Sequence, residues 1–91
     1  MIPIQRFTKA PADELDYTIA WSSWLPDGDT IVAASWDVPA GLTEPAAASF
    51  TTTTTTVWLA GGVAETDYDV ACQVTTDDGR VVERSIRIAV R

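Results

Sequence analysis

The chain carries thirteen acidic residues, one cysteine and no histidine among its 91 residues. That inventory decides most of the available chemistry before any fold is considered. Without an imidazole there is no Ser-His-Asp or Cys-His arrangement, and the usual zinc sites are missing too. Cys72 stands in the alternating run Tyr68, Val70, Cys72, Val74. Its thiol should therefore point inward with the apolar residues, as a small buried hydrophobe rather than a nucleophile. No glycine-rich loop leads from a strand into a helix, which leaves nucleotide binding without a motif. Carboxylates remain. Asp27 and Asp29 lie in one turn-rich stretch, Asp77 and Asp78 in another. If both loops share one end of a sandwich, four carboxylates would offer oxygen ligands to Ca²⁺. The plainer alternative is that Asp-Gly pairs here serve only as turns. No acid–base pair of defined geometry can be named, so the expectation is a non-enzyme with no catalytic residue, cofactor or resident metal.

Residues suited to contact are easier to find than residues suited to catalysis. WSSWL places Trp24 and Leu25 in a loop after Trp21, where they either cover the core or anchor a partner by an aromatic surface. The net charge of −7 argues against nucleic acid, which needs a basic face. The charge is also uneven: residues 1–79 hold two cations against twelve acids, whereas residues 80–91 hold four arginines against Glu83. A basic strip containing Arg84, Arg87 and Arg91 discourages edge-to-edge aggregation. Alternatively it faces the acidic body of a neighbouring copy, a head-to-tail contact that closes into rings. At the other end, Ile2, Ile4 and Phe7 are spaced apolar residues in a stretch broken by Pro3 and Pro11. They read as an extended arm or edge strand, able to dock on a neighbour by strand addition.

The elements that must position these residues show in the spacing. Leu15, Tyr17, Ile19 and Trp21 alternate with Asp16, Thr18 and Ala20, the mark of a strand with one buried face. Pro26, Asp27 and Gly28 then form a turn. A strand over 30–38 presents Val32, Ala34, Trp36 and Val38 on its apolar phase, and Pro39 to Gly41 end it. Residues 42–50 read as an irregular crossing with a short strand near Phe50. The six threonines at 51–56 pose the main ambiguity. A flexible linker would favour Gly, Ser or Pro, whereas threonine is β-branched and stiff, and this run feeds directly into VWLA. We expect a strand, most secure over Thr54 to Ala60. Residues 66–76 form another, with Tyr68, Val70, Cys72 and Val74 on one face, and Asp78-Gly79 joins it by a hairpin to a last strand with Val82, Ile86, Ile88 and Val90 inward.

About seven short strands with turns between them, and no helix longer than a turn, predict an all-β antiparallel sandwich. Trp36 on the third strand and Tyr68 opening the sixth, at a tyrosine-corner position, point to the immunoglobulin-like group. With one cysteine the domain has no internal disulfide and no sign of an oxidising compartment. The expected division is an arm over 1–13 and a sandwich over 14–91. The N-terminal stretch lacks the apolar core of a secretory signal, and nothing approaches the ~20 apolar residues that span a bilayer. No membrane contact is expected, and a protein that stays where it is made.

LDYTIAWSSWLPDGDTI, TTTTTTVWLAGG, TDYDV, TTDDGR and ERSIRI, in that order, resemble the fiber–tail adaptor or neck proteins of tailed bacteriophages. The likeness runs from about Lys9 to Arg91. Ala20 and Ser23 stand where such proteins more often carry an acid. The resemblance implies a virion protein assembled in the host cytoplasm, bridging the head–tail connector and the tail or fibers, in multiple copies or a ring. Its partners would be connector- or portal-associated, tail or fiber proteins. Two other roles stay open: a capsid decoration protein, and a carbohydrate-binding module using Trp24.

Overall fold

The computed structural model describes residues 3–91, and among these every regular element is a strand. In chain order they are β1 (Gln5–Lys9), β2 (Leu15–Ala20), β3 (Ile31–Asp37), β4 (Leu42–Thr43), β5 (Ser49–Phe50), β6 (Thr54–Gly61), β7 (Thr66–Thr76) and β8 (Val81–Val90). One sheet runs β1-β8-β7-β3, and the other runs β2-β6-β4 with β5 also paired to β6. The inner faces of the two sheets enclose one core, giving an immunoglobulin-like β-sandwich with a single free, buried cysteine. Of the six long strands, β2, β6 and β7 follow the alternation of their sequences most closely. The crossing over 42–50 contributes only the two-residue fragments β4 and β5, which brings the total to eight.

Side-chain alternation builds the core as expected. On β7, Tyr68, Val70, Cys72 and Val74 are buried while Asp67, Asp69 and Gln73 are exposed. Ile86, Ile88 and Val90 of β8 meet Tyr17 and Ile19 of β2 and Val57 and Leu59 of β6 in the same cluster. The tyrosine corner is present: the Val63 amide donates to the Tyr68 hydroxyl at 3.0 Å. Gly41 is required beside it. A Cβ there would lie 2.8 Å from that hydroxyl, and its φ of 106° is one that side chains resist.

The threonine run divides where the sequence suggests. Thr51 to Thr53 form the turn, with the Thr51 hydroxyl accepting from the amides of Thr53 and Thr54, and Thr54 begins β6. Thr56 then pairs with Thr18 across the outer face through hydroxyls 2.8 Å apart, a cross-strand contact that β-branched hydroxyl residues make well.

Two expectations need correction. Val32 is not on the buried phase of β3. A bulge between Ile31 and Ala33 sets both against consecutive residues of β7, so Ile31 turns inward and Val32 is left 51% exposed. Trp36 is only partly buried, because β3 is the margin of its sheet. The fully enclosed tryptophan is Trp21.

Candidate interaction surface

Three of the contact candidates, Trp24, Leu25 and Arg84, come together at the end of the sandwich where β2 leaves its sheet. The Trp24 amide donates to the Trp21 carbonyl at 2.9 Å, so residues 21–24 close a tight turn that folds the second ring back over the first. The rings meet edge-to-face with centroids 5.7 Å apart, the arrangement that a ring's negative face and positive rim favour. Trp21 is anchored beneath: its Nε1 donates to the Thr55 hydroxyl at 2.9 Å, and the Cys72 thiol donates to the same oxygen at 3.4 Å. Burial pushes the Cys72 thiol up to about 11, only partly offset by that hydrogen bond, so no thiolate forms at neutral pH. Leu25 packs against the core. Trp24 stays 38% exposed.

Arg84 comes to the same place from β8. It interrupts the apolar phase of that strand, and the guanidinium stands 5.4 Å from the centre of the Trp24 ring. That is within cation–π reach. Thus Trp24, Leu25 and Arg84, separated widely in sequence, form one mixed aromatic and cationic surface.

The aspartate loops behave differently from a cation site. Gly28, with φ of 85°, turns the chain so that the Asp29 amide donates to the Pro26 carbonyl. The Asp29 carboxylate is then fully enclosed. It accepts from the Thr30 amide at 3.0 Å, the Asp78 amide at 3.2 Å and Arg80 Nη1 at 3.0 Å. Burial alone would raise its pKa. Hydrogen bonds from Thr76, Asp78, Arg80 and Thr30 outweigh that effect and hold it below the usual carboxylate value. Arg80 also reaches Asp78 at 3.2 Å, so a guanidinium fills the space between the two loops. Among the described residues, no three acidic or cysteine side chains converge as ligands would. The loops do meet, but around a cation that the chain itself supplies.

Most of the arginine strip is likewise matched inside the chain. Arg87 makes a two-pronged pair with Asp69, directly opposite on β7, at 2.8 and 3.1 Å. That pairing lowers the Asp69 carboxyl and raises the Arg87 guanidinium. Arg91 holds Asp67 at 2.8 Å, and Arg6 approaches the same carboxylate at 3.9 Å. Of the four C-terminal arginines, Arg84 alone has no carboxylate partner among the described residues.

The N-terminal segment lies against its own sandwich. β1 runs parallel to β8 in register from Gln5–Ile86 to Lys9–Val90, which makes it an edge strand. Phe7 packs on Tyr17 with ring centroids 4.9 Å apart, so it serves the core. Ile4 is 37% exposed, and Ile2 lies outside the described residues. Lys9, to which the sequence reading gave no role, is the surprise. It is buried, and its ammonium donates to the carbonyls of Ala10 and Gly61, tying β1 to the end of β6 in the opposite sheet.

Fold and surface define the class: a disulfide-free immunoglobulin-like domain whose basic side chains are largely spent on holding loops and strands together. The chain belongs to the family described as podophage GP4 fiber-tail adaptor protein gp77, whose model matches residues 9–89. A comparison with the curated proteins finds no match. Among solved structures, the chain is similar to the solution structure of the PKD domain from KIAA 1837 protein. The TM-score is 0.55 with 19% identity, over 98% of this chain and 80% of that one. At that identity the likeness speaks for the fold alone.

Proposed function

We propose that the protein is a non-enzymatic virion component that joins the head–tail connector region to the tail or its fibers. The family match over residues 9–89 carries this reading. The chemistry of the chain agrees with it. Asp29 is saturated by donors, and the Cys72 thiol is buried and protonated. What remains available is surface, and Trp24 with Arg84 is the part best suited to a partner. A large ring partly freed from solvent beside an unpaired guanidinium is the composition of an interface anchor. Multiple copies fit the role, although matching of Arg80, Arg87 and Arg91 within the chain leaves Arg84 as the cation available to a neighbouring acidic surface. The arginine over Trp24 also covers the ring face that a sugar would stack on, which counts against the carbohydrate-binding alternative.

The test is to remove the gene from its phage and supply it back in wild-type or Arg84→Glu form. Loss should leave filled heads without tails or fibers, and Arg84→Glu should restore assembly poorly while the purified variant still folds. Complete, infectious particles in the absence of the protein would overturn the adaptor reading.

A further inference from the structure

We infer that the free edge of β2 is a strand-addition site for an extended segment alternating apolar and basic side chains. The inference deepens the adaptor reading, on which it rests for the biological partner, by stating that partner's chemistry.

The backbone pattern defines the edge. β2 pairs only with β6, in a register from Leu15–Leu59 to Ala20–Thr54. The same register continues to Trp21, whose amide donates to the Thr53 carbonyl. Residues 15, 17, 19 and 21 are therefore the ones that exchange hydrogen bonds with β6, since bonded and non-bonded pairs alternate along an antiparallel ladder. The close approach of the Thr18 and Thr56 hydroxyls agrees, because non-bonded pairs bring side chains nearer. Asp16, Thr18 and Ala20 consequently aim their N–H and C=O groups away from β6. Among the described residues no other backbone group reaches them.

The other edges are defended. β1 is flanked by Pro3 and Pro11. β3 carries the bulge, and the Ile31 amide at its start is already bonded to the Thr52 carbonyl. β4 and β5 are two residues each. Such devices are the common means of blunting an edge. β2 has six residues, no proline and no bulge.

Charge selects the occupant. Asp13, Glu14 and Asp16 line the approach to this edge, and none is ion-paired among the described residues. An added strand would place one set of side chains beside Asp16 on the outer face, where lysine or arginine is favoured. The alternate set would fall on the inner face beside Leu15, which is 43% exposed although it shares the phase of buried Tyr17 and Ile19. A second copy would bring the same three carboxylates to the seam, on a chain of net charge −7, so charge disfavours it.

The experiment titrates the full chain with a synthetic peptide alternating valine and lysine, read by amide hydrogen exchange. The amides of Asp16, Thr18 and Ala20 should become protected while those of β1 and β3 do not change, and binding should weaken with salt. A valine–glutamate peptide should be silent. Asp16→Lys should weaken binding about tenfold, as expected when one favourable surface pair is turned repulsive. Thr18→Pro removes an N–H that makes no bond to β6, and should abolish binding with little change in the melting curve. Protection of a different edge, no protection, or equal binding of the glutamate peptide would overturn the inference. So would protection of the same three amides in the protein alone that rises with concentration, since it would give the edge to a second copy. A silent edge in a protein that is found in virions would remove this inference only. A protein missing from virions would remove the adaptor reading and leave the edge chemistry standing.

Discussion

Thr55 shows how much one side chain can decide in a domain this small. Its neighbours in the run face solvent or make the turn, whereas Thr55 is buried and its hydroxyl oxygen accepts from both Trp21 Nε1 and the Cys72 thiol. Valine would fill the same space and leave the indole N–H without a partner. Thr55→Val should therefore destabilise the fold by about 1–3 kcal/mol, the usual penalty for an orphaned buried donor. In a domain of this length that lowers the melting temperature by roughly 4–8 °C per kcal/mol. Thr56→Val, on the outer face, should change stability by less than about 0.5 kcal/mol. Equal effects of the two would show that the Trp21 contact does not hold the core. Neither the inward phase of Thr55 nor its role as a shared acceptor was legible in a run of six identical residues. The role exists only once β2, β6 and β7 are packed together. Lys9 was hidden for the same reason: the carbonyls that make its burial tolerable come from Ala10 and from Gly61, at the far end of another strand.

At the scale of elements, the long strands were legible wherever the two faces differ strongly in polarity, as on β7. β3 was not, because Ile31-Val32-Ala33-Ala34 is apolar on both phases and carries no mark of the bulge that shifts it. The ion pairs on the outer face of β7 and β8 did leave a signal. Counting equal steps either way from Asp78 in the hairpin sets Asp69 opposite Arg87, the pairing that forms. The carboxylate loops called for a different guess, since Arg80 of the same hairpin takes the central position between them. This loop clamp predicts a pH dependence. The Asp29 and Asp69 carboxyls titrate lower in the folded protein than in the unfolded chain. The stability they contribute is therefore fully present above the ordinary carboxylate value of about 4, and is lost as pH falls through their folded values. Denaturant midpoints should drop between about pH 5 and pH 2. Asp29→Asn should start from a lower midpoint at neutral pH and fall less on acidification. An unchanged acid slope in that variant would remove Asp29 from the account.

For the whole molecule, the distribution of charge separates what holds the domain together from what it offers to others. Arg80, Arg87 and Arg91 are matched by the chain's own acids, so the basic strip seen in the sequence is largely neutralised on folding. Among the groups left unmatched, two sit at places suited to contact: Arg84 beside Trp24 at the loop end, and the acidic, hydrogen-bond-ready edge of β2. A rigid sandwich with one anchor of each kind suits a part that is gripped at two places and transmits no chemistry. Its position in the particle tests that claim most directly. In a reconstruction of intact virions, density for this domain should lie between the head and the tail or fibers, with Trp24 and the β2 edge both covered by other chains. Density on the capsid lattice, or purified particles that lack the protein altogether, would contradict it.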